Sequence, residues 1–280
     1  MGKIIAVANP KGGVGKTTTV INLAASLAIA EKTVLIIDCD PSGSISQGLG
    51  VPQYAIKHGI FDVFSGSAGF IEAIQQVEFF PQFDILPAGI REHEQEIRLM
   101  ELAKNRVRMK RLLNGLMTSG RLNYDYILID TPPSMDDLAL GAMYAADSVL
   151  IPLQSGFYAI NAAERLLGMI ERIRKTTNPN LNIEGILLTF SEKGTRATNQ
   201  ALSAAEERFG NLMFDTQIPK NAALGYAAFA RRPIALVDVT APGAQAYLAL
   251  AEEIIHKNRQ IPVYRATTDS TAPQISYFAG

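Results

Sequence analysis

A short apolar run, Ile4-Ile5-Ala6-Val7-Ala8-Asn9, leads directly into Pro10-Lys11-Gly12-Gly13-Val14-Gly15-Lys16-Thr17-Thr18 and then into a helical stretch. Few folds accept a glycine-rich loop in that position. The glycines let backbone N–H groups close around phosphate oxygens, and the helix behind them offers the positive end of its dipole. Lys16 is expected to reach the β- and γ-phosphates of a nucleotide, with the Thr17 hydroxyl on Mg²⁺. The pattern G-x-x-x-x-G-K-S/T is met only in part, because Pro10 stands five residues before Gly15. A turn that merely joined strand to helix would need neither the lysine nor the paired threonines. Lys11 has no required task beside Lys16; alone, it reads as a solvated surface charge.

The rest of the chain repeats the strand–helix alternation. Strands are expected at Ile4–Asn9, Thr33–Asp38, Phe83–Pro87, Tyr126–Asp130, Ser148–Pro152 and Ile183–Thr189. Several are continuous β-rich apolar runs, the pattern of strands buried on both faces of a parallel sheet. Helices are expected at Thr17–Ala30, Glu92–Leu116, Ala159–Lys175, Ala197–Phe209 and Ala241–Lys257. Together they predict an α/β protein with a doubly wound, mostly parallel sheet flanked by helices. At 280 residues, with 48% hydrophobic and 19% charged, residues 1–260 suit a single domain. Residues 261–280 lose helical periodicity and read as a flexible or lightly docked tail.

Composition removes several function classes. One cysteine, Cys39, gives neither a disulfide framework nor a thiolate cage, and His58, His93 and His256 match no metal-ligand spacing. No signal-peptide layout and no apolar run of about 18 residues is present, so a cytoplasmic protein without a membrane span is expected. The net charge of −1 leaves any nucleic-acid contact to a local patch.

Two apolar strands end in carboxylates, Ile36-Ile37-Asp38-Cys39-Asp40 and Tyr126-Ile127-Leu128-Ile129-Asp130. A lone aspartate at a strand end is more often a cap or turn former. Three of them in this order after a phosphate loop point instead to Mg²⁺ and water.

Lys-Gly-Gly-Val-Gly-Lys-Thr-Thr as a unit resembles the deviant Walker A motif of the ParA/MinD family, and the likeness extends from Ile4 to about Lys257. Ile151-Pro152-Leu153-Gln154, Gly185-Ile186-Leu187-Leu188-Thr189 and Gly243-Ala244-Gln245-Ala246-Tyr247 also resemble its segments. The resemblance implies an ATPase using ATP and Mg²⁺, with Lys11, Gly12, Gly13, Val14, Gly15, Lys16, Thr17 and Thr18 around the nucleotide. It implies that Lys11 acts in trans across an ATP-dependent homodimer and that Asp40 positions the attacking water. Asp130 then holds Mg²⁺ in a Walker B position, with Asp38 near it and Thr131-Pro132-Pro133 opening switch II. Ile218-Pro219-Lys220-Asn221 resembles the base-binding segment, placing Pro219 and Asn221 beside adenine. The first motif starts near residue 9, as in the short, Soj-type branch.

By the same resemblance, Lys193, Arg196, Lys220, Arg231, Arg232 and Lys257 lie on a face that binds DNA without sequence preference, and the dimer is nucleoid-associated when ATP-bound. The implied partners are DNA and a ParB-like activator or cargo adaptor. The sequence departs from the family where Ala223 replaces an arginine and Gly225-Tyr226-Ala227-Ala228-Phe229 a Ser-Glu-Ala-Pro-Ser run; Gly156 and Pro10 are lesser departures. A MinD-like membrane switch needs an amphipathic C-terminal anchor, which residues 261–280 do not provide. Positioning of a carboxysome or chemotaxis cluster stays open as the alternative to chromosome or plasmid segregation. The basic run Lys104–Arg111 reads as the end of one long helix with an acidic start, a solvated structural face.

Overall fold

The expected strands form because their runs of Ile, Val and Leu can be buried on both sides at once. A computed structural model describes residues 2–154, 157–192 and 196–259, without the side chains of 157–159, 196–199 and 201. The strands are β1 (Lys3–Val7), β2 (Val34–Asp38), β3 (Gln75–Gln76), β4 (Phe83–Leu86), β5 (Tyr126–Asp130), β6 (Ser148–Gln154) and β7 (Asn182–Thr189). They form one sheet in the order β3-β4-β2-β5-β1-β6-β7. Every pairing is parallel except β3 with β4, which is antiparallel at the edge.

The helices are α1 (Lys16–Ile29), α2 (Ser44–Gly48), α3 (Ile60–Ser65), α4 (His93–Ala103), α5 (Arg108–Thr118) and α6 (Asp137–Ala145). They continue with α7 (Phe157–Thr176), α8 (Arg196–Phe209), α9 (Ala222–Phe229), α10 (Ile234–Val237) and α11 (Pro242–Arg259). Alternation along β1 divides the core: Ile4 and Ala6 face a layer that includes Leu99, Leu113, Met143 and Ile170. Ile5 and Val7 face the layer of Leu23, Leu27, Tyr247 and Leu250. Helices α1 and α11 thus cover one face, and α3 to α8 the other. Each fully buried leucine or isoleucine contributes about 1.5–3 kcal/mol.

The expected helix Glu92–Leu116 is corrected: it is two helices, with a turn between Ala103 and Arg108. No glycine or proline marks the break. The turn is held from outside, by the Arg106–Asp137 ion pair and by Arg108, which donates to the Phe64 carbonyl and lies 5.7 Å from that ring's centroid. Lys110 donates to the carbonyl of Thr177 at 3.2 Å. Arg108, Lys110 and Arg111 therefore start α5, while Lys104 caps the end of α4 and Arg106 lies in the turn. Arg106, Arg108 and Lys110 act structurally, through an ion pair and carbonyl contacts rather than the helix dipole. Lys193, Gly156 and the 261–280 tail lie outside the described residues, as does the side chain of Arg196.

Candidate nucleotide-binding site

β1 lies between β5 and β6, where connections leave in opposite directions across the sheet, and such a switch point opens a crevice at the strands' carboxyl ends. Here the register does chemical work. Val7 pairs with Asp130, and Asp130 with Asp38, so both carboxylates stand level with the start of the loop. Both aspartates are fully buried.

Between β1 and α1 the loop turns through Gly13 (φ 74°) and Gly15 (φ 85°), left-handed conformations that favour glycine. Gly15 is the N-cap of α1 and provides no side-chain hydrogen bond. The first N–H groups of the helix therefore point into the crevice uncapped by a side chain, as an anion site requires. Lys11 and Gly12 are exposed, Val14 is buried, and Thr18 is half-buried with its carbonyl accepting from Asn22 at 2.8 Å.

Lys16 is buried, and its ammonium donates to the carbonyls of Asn9 (3.2 Å) and Lys11 (3.3 Å). Burial lowers its pKa, opposed by the charges of Asp130 and Asp40. Thr17 Oγ1 donates to Asp130 Oδ2 at 2.8 Å. The other Asp130 oxygen, Oδ1, and Asp38 Oδ2 are buried with no hydrogen-bond partner among the described residues. Burial raises both carboxyl pKa values, Asp130 to about 7, and the Asp130 charge adds to the effect on Asp38. Two unpartnered buried acceptors beside a threonine hydroxyl fit a hydrated divalent cation.

Asp40 is half-exposed on the loop that follows. Its N–H donates to Asp38 Oδ1 at 3.1 Å, and its own Oδ1 accepts from the Ser42 N–H at 2.9 Å. On the other side, Ser191 pairs with the segment through Pro219, and Asn221 Oδ1 caps α9 by accepting from the Ala223 N–H at 2.8 Å.

Sequence reasoning gave no bracing role to Asn9, Thr131 and Thr189, which hold the loop. Asn9 Nδ2 donates to the Pro152 carbonyl at 2.7 Å, and Asn9 Oδ1 accepts from the Lys11 N–H at 2.9 Å. Thr131 Oγ1 donates to the Val7 carbonyl at 2.8 Å, and Thr189 Oγ1 to that of Val14 at 2.9 Å. A usable signal was present: each is a buried polar residue at or just beyond the end of an apolar strand.

The expected basic face is brought together only in part. Arg231 and Arg232 are exposed just beyond α9, Arg232 with its guanidinium 4.7 Å from the Phe79 ring centroid. Lys220 is exposed but ion-paired with Glu192. Lys257 stands apart, donating to the Glu184 carbonyl and lying 5.5 Å from the Phe214 ring centroid. Gly243, at the start of α11, packs against Leu224 and Ile234 of α9 and α10, and Lys257 lies about 21 Å further along the helix axis. Helix α9 itself presents Tyr226 (63% exposed) and Phe229 (84%).

A family model described as an AAA domain matches residues 2–183. The chain is 38% identical over 257 residues to the chromosome partitioning protein ParA of Caulobacter vibrioides, covering 92% of this chain and 95% of that one. It is 39% identical over 254 residues to the sporulation initiation inhibitor protein Soj of Bacillus subtilis, covering 91% and 98%. Cobyrinic acid a,c-diamide synthase from Mycobacterium smegmatis, solved with bound ADP and magnesium, superposes with a TM-score of 0.77 at 26% identity, covering 93% and 96%. The septum site-determining protein MinD of Pyrococcus horikoshii, complexed with Mg-ADP, shares the fold at a TM-score of 0.77 and 24% identity, covering 93% and 98%. With its loop, its paired strand-end aspartates and these relatives, the chain belongs to the AAA domain family, as a ParA/Soj-type deviant Walker member.

Proposed function

We propose that this protein is a Mg²⁺-dependent ATPase whose ATP-bound homodimer partitions or positions DNA or another large cargo from the cytoplasm. The observation that carries the reading is the alignment of Asp38, Asp130 and Thr17 beneath a helix start without a side-chain cap. Phosphoryl transfer to water needs positioning and charge stabilisation, with no covalent nucleophile. Lys16 and the loop N–H groups hold the β- and γ-phosphates. Thr17 and Asp130 would hold Mg²⁺, with Asp38 beside it, and the metal would supply neutralisation of the phosphate charge. Asp40 orients the water, and Pro219 and Asn221 border the adenine.

Exposed Lys11 is free of the cis phosphate task that buried Lys16 performs, which supports a role across the dimer. Lys11→Ala is therefore expected to bind ATP yet stay monomeric, whereas Asp40→Ala accumulates as an ATP-bound dimer. Light scattering with Mg-ATP reads both, and a normal dimer from Lys11→Ala rejects the trans role.

The chromosome-partitioning relative supports DNA as the cargo or scaffold, with a ParB-like activator or cargo adaptor as partner. The candidate cations are exposed Arg231, Arg232 and Lys220, with Lys193 and Arg196. Dimerisation pairs two such patches and steepens the salt dependence of phosphate contacts. Arg231→Glu with Arg232→Glu should reduce ATP-dependent binding of random duplex at least tenfold at low salt. One observation favours a different scaffold or cargo, as in a MinD-like, carboxysome or chemotaxis system: at α9, Ala223 and exposed Tyr226 and Phe229 replace polar family residues. An electrophoretic shift that the double substitution leaves intact removes this patch; no shift by the wild type at any salt supports the second reading.

A further inference from the structure

Thr189 ends β7, in register with Gln154 of β6, and is buried. Its hydroxyl donates to the Val14 carbonyl at 2.9 Å, across 175 residues of sequence. That bond fixes more than one oxygen. A trans peptide is planar, so a carbonyl held on one side turns the N–H of the next residue to the other. The N–H on this peptide belongs to Gly15, the N-cap of α1. Among the described residues no carbonyl accepts from that N–H, and no side chain caps the helix start. It is therefore left for an anion.

This peptide is also the one in the loop with most need of a fastening. On one side of it, the Val14 side chain is buried and anchors its own Cα. On the other stands Gly15, at φ 85°, where no Cβ limits rotation. Glycine thus permits the Val14–Gly15 peptide to turn over between two fixed Cα atoms. Turned over, it would aim the carbonyl oxygen at the phosphates and take the N–H away. With the Thr189 hydroxyl in place, the turned peptide forfeits a buried hydrogen bond.

We propose that Thr189 is a phosphate-positioning residue: its hydroxyl holds the Val14 carbonyl and so keeps the Gly15 N–H aimed into the crevice. It rests on the nucleotide-site reading above and extends it to a side chain that touches no phosphate. A donor aimed before the ligand arrives needs no ordering on binding, and affinity rises without a new contact.

Thr189→Val, which keeps the shape and removes the hydroxyl, separates this role from a structural one. Calorimetry should show about tenfold weaker binding of Mg-ADP, the loss of one charge-assisted hydrogen bond. Inorganic tripolyphosphate, which has no base, should lose as much. Thr189→Ser restores the hydroxyl and should restore both affinities. In ¹⁵N-labelled protein the Gly15 amide signal, single and sharp in the wild type, should split or broaden in Thr189→Val. Wild-type affinity in Thr189→Val overturns the proposal, and so does a loss that Thr189→Ser fails to recover. A loss confined to Mg-ADP also overturns it, because the effect would then lie at the base. If Thr189→Val does not fold, the bond holds the fold and not the peptide, and the proposal again fails. Should the wild type bind neither ligand, the nucleotide-site reading itself fails. If Lys16→Ala loses binding while Thr189→Val keeps it, only the role of Thr189 fails.

Discussion

Lys16→Ala should lose measurable affinity for Mg-ATP and Mg-ADP, a fall of at least about 100-fold. The side chain is the buried cation of the loop, and its ammonium sits on the carbonyls of Asn9 and Lys11 at the mouth of the crevice. Hydrogen bonds from a charged donor contribute about 1.5–3 kcal/mol each, and two to phosphate oxygens account for a 100-fold change or more. The other loop lysine does not compensate, because Lys11 is exposed. Folding should survive the change. Burial lowers the pKa of Lys16, the sign of an ammonium that is costly to bury, so alanine removes a desolvation penalty along with two carbonyl contacts. The check is isothermal calorimetry with Mg-ADP beside a thermal melt of the protein alone. Unchanged nucleotide affinity rejects the phosphate-loop assignment outright.

Residues defined by sequence-local chemistry were legible in advance. Lys16 and Thr17 follow from a glycine loop between strand and helix, and Asp38 and Asp130 from apolar runs that end in a carboxylate. Their alignment on neighbouring strands was not legible, since register depends on pairing across a sequence separation of about ninety residues. The same limit explains the misread helix at Glu92–Leu116. Periodicity continues through Lys104–Val107, and the break is imposed by Asp137 and the Phe64 carbonyl, partners remote in sequence. The resemblance groups Lys257 with Arg231 and Arg232, but most of a helix about 27 Å long separates Lys257 from the end of α11 that packs on α9. Helix α9 escaped notice because Ala-Ala-Leu-Gly-Tyr-Ala-Ala-Phe is apolar on every side and has no amphipathic stripe. Phe190, just after β7, carried no signal at all: its left-handed φ of 53° is a tertiary outcome.

Asp130→Asn should separate function from stability, lowering one and raising the other. In the folded protein, burial raises the Asp130 carboxyl pKa to about 7, against the opposing pull of the Thr17 hydroxyl and the Lys16 charge. The unfolded chain releases that proton near pH 4. Between these values the folded state holds a proton that the unfolded state has lost, so stability falls as pH rises through the window. Above about pH 7 the penalty is fully present. Asparagine has no proton to lose, and its oxygen can still accept from Thr17 Oγ1. Its new N–H₂ group can face the unpartnered Asp38 Oδ2, whose strand lies in register alongside. At pH 8 in EDTA the variant should be more stable by about 1–3 kcal/mol, a melting temperature several degrees higher. The advantage should shrink as the pH is lowered towards 4. Mg²⁺ affinity should fall about 10- to 100-fold and ATP turnover with it, because the carboxylate that makes the folded protein less stable is the group that holds the metal. Melting curves of both proteins from pH 4 to 8, with phosphate release measured at pH 8, decide the matter. A variant that melts below the wild type at pH 8, or whose advantage does not change with pH, would show that Asp130 is not the strained carboxylate described.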